Sequence, residues 1–145
     1  WSVAVMKVMF LCQANVGRSQ VAEAFFARTS KHAVSSSGTH VDELMAKQKP
    51  VTAKMRDNSR YSLPYMAAQG IDISEQERTQ LTPELVAEVD RVIAILTPEE
   101  VPVYVKESGK LTVWDIRDPA SNPDEADPLF DLVRDHVSEL VKEIG

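Results

Sequence analysis

Cys12 closes an apolar run, and Arg18 and Ser19 follow it after Gln13-Ala14-Asn15-Val16-Gly17. This puts a thiol, a permanent cation and a hydroxyl on one short polar loop. The chemistry such a set suits is attack on a tetrahedral oxyanion. Amides of Gln13 to Arg18 can converge on an anion, and a helix starting at the loop's end adds partial positive charge. Arg18 can bind two anion oxygens at once. The donors that hold the anion also favour a thiolate at Cys12, and the Ser19 hydroxyl can donate to it. Asn15 and Gly17 tolerate left-handed backbone angles, which a ring of convergent amides needs. A cysteine ending a buried strand is commonly only a small core residue. That reading leaves unexplained an arginine facing the positive end of a helix.

Placing these groups requires a strand, a loop and a helix in that order. Val5 to Leu11 is nearly all apolar, as in a strand covered on both faces. Ser19 to Ala27 holds strong helix formers, with Val21/Phe25 and Ala22/Phe26 one turn apart. Further strands are expected at Ala33–Ser37, Arg91–Leu96 and Lys110–Trp114. Helices are expected at Ser62–Gln69, closed by Gly70, and from the Thr82 cap through Val89. A last helix carries Leu129, Leu132, Val133, Val137, Leu140, Val141 and Ile144 on its packed face. Strands alternating with helices give a single α/β domain over 1–145 with a parallel sheet, and ligands at the carboxyl ends of its strands. Residues 41–60 are polar and ambiguous, a candidate insertion or lid in which Pro50 could open a helix.

The chain has 145 residues, one cysteine and a formal net charge of -6. One thiol excludes a disulfide scaffold. No apolar run is long enough to cross a membrane, and the acidic balance disfavours nucleic acid or an anionic membrane as partner. A cytoplasmic, reduced setting is expected, although the first residue is Trp1 rather than Met. His32, His40 and His136 show no ligand spacing, so no metal or other cofactor is expected and each is placed at the surface.

Taken together, Cys12-x5-Arg18-Ser19 after a buried strand, Asn15, Ser36-Ser37-Gly38-Thr39, Gly70-Ile71-Asp72-Ile73-Ser74 and Asp118-Pro119 resemble the low-molecular-weight protein tyrosine phosphatase family. That family includes phosphatase-like arsenate reductases. The resemblance implies a flavodoxin-like, three-layer fold with a four-stranded parallel sheet. It implies that Cys12 attacks phosphorus and forms a cysteinyl-phosphate. Asp118 then protonates the leaving oxygen and helps water hydrolyse the intermediate. Arg18 and the amides from Gln13 to Ser19 hold the equatorial oxygens. Asp118 is preferred over Asp127 because Asp127-Pro128 fits a helix cap followed by proline, whereas Asp118 lies just past a strand end.

Gln20 follows the motif serine where the phosphatases commonly carry proline, and Ala120 follows Asp-Pro where they often carry an aromatic. Both features lean toward the arsenate reductases. Yet a self-contained disulfide relay is impossible with one thiol, so arsenate reduction would need an external small thiol of the mycothiol kind. Hydrolysis of a phosphorylated protein or small phosphomonoester ranks first, and external-thiol arsenate reduction second. A non-catalytic phosphate-binding module ranks third, because a pure binder has no use for Asp118. Tyr61, Tyr65, Arg56, Arg60 and Met66 are candidate border residues. Oligomeric state is open.

Overall fold

A computed structural model describes residues 5–48 and 52–145. Its sheet is built from β1 (Lys7–Cys12), β2 (Ala33–Gly38), β3 (Arg91–Ala94) and β4 (Leu111–Val113), all parallel and ordered β2-β1-β3-β4. The helices are α1 (Arg18–Thr29), α2 (Val41–Met45), α3 (Ser62–Ala68), α4 (Pro83–Glu88), α5 (Val103–Lys106) and α6 (Ala126–Ile144).

Side chains alternate across a strand, and β1 shows why it must be central. Val8 and Phe10 join one core with residues of α1, α3 and α6, including Val21, Phe26, Met66, Phe130 and Val133. Met9 and Leu11 join a second core with Val86, Val89, Val101 and Val105. In β3, Ile93 and Val92 divide the same way. The sheet is therefore sandwiched, and its strands read as continuous apolar runs. The chain leaves β1 toward β2 on one side and returns to β3 on the other. That reversal opens a crevice at the carboxyl ends of β1 and β3, and Cys12 is the last residue of β1.

Several expectations shift in detail. Leu132 is 45% exposed, and the buried face of α6 is carried instead by Ala126, Leu129, Phe130, Val133, Val137 and Leu140. α6 starts at Ala126 behind a Glu125 cap, so Asp127 lies in its first turn and is not the cap. His32 is buried, accepting from the Met6 amide at 2.9 Å through Nδ1, whereas His40 and His136 are exposed. The Thr82 cap is as expected, its hydroxyl accepting from the Leu85 amide at 3.2 Å. Gly70 sits at φ +78 just past α3, the left-handed stop that glycine permits. Of the 41–60 stretch, α2 and a short 3-10 turn at Met55–Asp57 are formed. Pro50 lies outside the described residues.

Candidate active site

The loop from Cys12 to Gly17 has each carbonyl turned outward onto a separate donor. Cys12 O accepts from the Thr39 amide and Gln13 O from the His40 amide, both at 3.0 Å. Ala14 O accepts from Arg78 Nε at 3.1 Å, and Asn15 O from Gln20 Nε2 at 3.1 Å. Val16 O accepts from the Ser62 hydroxyl at 2.5 Å, and Gly17 O from the Val21 amide at 3.0 Å. A trans peptide points its C=O and the following N–H in opposite directions. Outward carbonyls therefore aim the amides of Gln13 to Arg18 inward. None of those amides donates to a protein acceptor among the described residues. They form a concave set of free donors at the start of α1, which is an anion-binding arrangement.

Asn15 takes φ +53, as a nest of this kind requires. Gly17 does not: its φ is -121, and a Cβ there would meet the Phe130 ring at an ordinary 3.8 Å. The glycine that the loop cannot spare is Gly38, at the end of β2. A Cβ on Gly38 would stand 2.6 Å from Gln13 O and 3.0 Å from Asn15 Cβ.

A chain of donors and acceptors leads from the Thr79 amide to the sulfur. Asn15 Oδ1 accepts from the Thr79 amide at 2.8 Å, which settles the orientation of the amide group. Its Nδ2 then donates to Ser19 Oγ at 2.7 Å and to Ser36 Oγ at 3.0 Å. Ser36 passes its own proton to Glu23 Oε1 at 2.5 Å. Ser19 is left with a hydroxyl proton 2.9 Å from Cys12 Sγ, ready to donate to a thiolate. Cys12 is 2% exposed, yet it lines a cleft of about 310 Å³ together with Arg18, Asp118, Asn58, Arg60 and Tyr61.

Burial pushes the Glu23 carboxyl above its ordinary pKa, with the Ser36 hydrogen bond opposing the shift. An acid whose pKa is raised on folding binds more protons folded than unfolded. Its contribution is complete below the unfolded value, about pH 4.3, and is lost as pH rises through the folded one. Denaturant titrations across that window should show the wild type losing stability relative to Glu23→Gln. Parallel profiles would mean Glu23 is not the group responsible.

Arg18 is buried, donating from Nη1 to Ile116 O at 2.9 Å. The Asp118 carboxylate caps a 3-10 turn over Pro119–Ser121, with Oδ1 accepting from the Ala120 amide at 2.9 Å. Arg117 and Glu125 pair at 2.7 Å on the exposed surface beside this turn. The structure thus brings the thiol, both flanks of the anion loop and Asp118 to one cleft, while Asp127 faces a separate groove beside Tyr65. Of the candidate border residues, Arg60 and Tyr61 line the cleft, the guanidinium lying 5.5 Å from the ring centroid. Tyr65 and Met66 are buried in the core, and Arg56 pairs with Glu75 at 2.7 Å. Sequence reasoning missed Ser62, Asn58 and Arg78, which have no local pattern to mark them. No group of three or more metal-ligating side chains occurs among the described residues.

Residues 7–144 match the family model described as low molecular weight phosphotyrosine protein phosphatase. The chain belongs to this family. Within it the fold recurs at low sequence identity. Wzb of Vibrio vulnificus in complex with benzylphosphonate superposes with a TM-score of 0.78 at 17% identity, covering 97% of this chain and 99% of that one. An arsenate reductase in the oxidized state gives 0.74 at 24%, covering 97% and 100%. The YwlE arginine phosphatase from Geobacillus stearothermophilus gives 0.77 at 19%, covering 96% and 92%. Membership in this phosphatase family supports a cysteine-dependent phosphatase, and the reductase neighbour fits the alternative. No described helix is long and apolar enough to cross a membrane.

Proposed function

We propose that the protein hydrolyses phosphomonoesters of the aryl type through a cysteinyl-phosphate. The observation that carries this reading is the ring of inward amides from Gln13 to Arg18 beside a sulfur that lies 2.9 Å from the Ser19 hydroxyl. The anion docks in that ring with Arg18 along its equatorial oxygens. Cys12 Sγ forms a bond to phosphorus in line with the leaving oxygen, and Asp118 gives that oxygen a proton as the P–O bond breaks. A water then attacks phosphorus and returns its proton to Asp118. The thiolate leaves, supported by Ser19. Tyr61, Pro119 and Phe130 line the cleft and supply apolar surface for an aromatic ring. The natural substrate is a phosphorylated protein or a small phosphomonoester, and the working compartment is the reducing cytoplasm. Residues 41–60 contribute the cleft rim through Asn58 and Arg60.

A second reading is favoured by Gln20. It is fully buried, its Nε2 holds Asn15 O, and its Oε1 accepts from Gln76 Nε2 at 2.6 Å. The position that departs from the phosphatase pattern is thus integral to the loop. In that reading Cys12 takes arsenate with loss of water. An external small thiol attacks the sulfur, arsenite departs with the electron pair, and a mixed disulfide awaits a second thiol. The test is p-nitrophenyl phosphate turnover by reduced protein, run beside arsenate reduction with and without a small thiol and its reductant. Phosphatase turnover inhibited by vanadate is expected. Thiol-dependent arsenite formation without phosphatase turnover would move the function to the second reading, and oxyanion binding with neither activity would make the protein a binding module.

A further inference from the structure

Arg78 is 8% exposed and makes no ion pair with a carboxylate among the described residues. A cation taken out of water is costly unless a negative charge or a full set of acceptors meets it. Two of its donors are accounted for: Nε on Ala14 O at 3.1 Å and Nη1 on Asn58 Oδ1 at 3.1 Å. Its backbone amide is itself bolted to Ala53 O at 2.8 Å. The neighbouring Thr79 amide holds Asn15 Oδ1. Among the donors that turn the loop's carbonyls outward, Arg78 is the one that carries a charge. Burial draws its guanidinium below the ordinary arginine pKa, and the charge that opposes this is the Cys12 sulfur.

We infer that Arg78 is a positioning residue for the anion loop: its guanidinium turns the Ala14 carbonyl outward, which aims the Asn15 amide at the oxyanion. The same fork reaches Asn58, whose Nδ2 donates to Thr52 O at 3.0 Å and to Lys54 O at 2.7 Å. Arg78 therefore ties the nucleophile loop to the segment that supplies the cleft rim. This inference rests on the proposal that Cys12 attacks an oxyanion held by this loop, but its test needs no turnover.

Two quantities decide it: the rate of Cys12 alkylation by iodoacetamide at mildly acidic pH, and the affinity for inorganic phosphate by calorimetry. Removing the charge in Arg78→Gln and Arg78→Met should slow alkylation about tenfold, because a cation that couples to the Cys12 sulfur is lost and the loop framing that sulfur loses its Ala14 anchor. Phosphate binding should weaken by a similar factor. Arg78→Lys should keep most of the alkylation rate, since it keeps the charge. It should still lose phosphate affinity, since one ammonium cannot reproduce the fork to Ala14 and Asn58. Folded Gln or Met variants with wild-type alkylation and phosphate affinity would overturn the assignment. If those variants do not fold, Arg78→Lys carries the test, and a lysine variant equal to wild type in phosphate affinity overturns it. Normal effects on both readouts in a protein that never turns over p-nitrophenyl phosphate would leave Arg78's role standing and reject hydrolysis.

Discussion

Replacing Cys12 with serine should abolish p-nitrophenyl phosphate turnover, by about 10⁴-fold or more, while phosphate still binds. A hydroxyl at this position has no comparable anionic form near neutrality, so the first bond to phosphorus forms far more slowly. In the proposed mechanism the anion is bound by main-chain amides and Arg18, and these are held by carbonyl anchors that do not involve the sulfur. Turnover and affinity should therefore separate. Removing a thiolate also removes a negative charge from beneath the anion, so phosphate should bind the serine variant at least as tightly as the wild type. Retained turnover in Cys12→Ser would exclude a required route through the Cys12 sulfur. Lost binding would mean that the amides alone do not make the site.

Asp118→Asn should slow hydrolysis by roughly 10²- to 10⁴-fold, the range general acid–base catalysis supplies. The dependence on leaving group separates acid catalysis from simple damage to the turn. A good leaving group departs without a proton, so p-nitrophenyl phosphate should suffer less than phenyl phosphate. A misfolded turn would slow both equally. Asparagine keeps an oxygen that can still accept from the Ala120 amide, so the 3-10 turn at Pro119–Ser121 should survive. Asp127→Asn serves as the comparison: Asp127 faces the groove beside Tyr65 and not the Cys12 cleft, so its replacement should leave turnover near the wild-type rate.

The parts of this molecule legible in the chain are those written in local pattern. β1 is a continuous apolar run because both its faces are covered, and the polar loop after it stands out by contrast. α6 announces itself by its period, although Leu132 shows the limit: one residue at the margin of an apolar stripe points to water, and only neighbouring elements decide which. Gly17 was legible as a glycine in a tight loop, but the close approach falls at Gly38, two elements away in sequence and adjacent through the β1–β2 pairing. Ser62 and Arg78 act on the loop from 46 and 64 residues away. No spacing rule connects them to Cys12, because tertiary packing and not the chain order makes them neighbours. His32 departs from its expected surface place for a related reason: a lone histidine finds buried acceptors and donors only through tertiary contact.

The outward carbonyls have a consequence for how order in this protein is to be measured. Amides from Gln13 to Arg18 are held by bonds made to the opposite ends of their peptide groups, yet they have no protein acceptor of their own among the described residues. Hydrogen–deuterium exchange reads the second property and not the first. A loop anchored at every carbonyl will therefore trade its protons quickly, like a floppy one, until an oxyanion gives those protons somewhere to point.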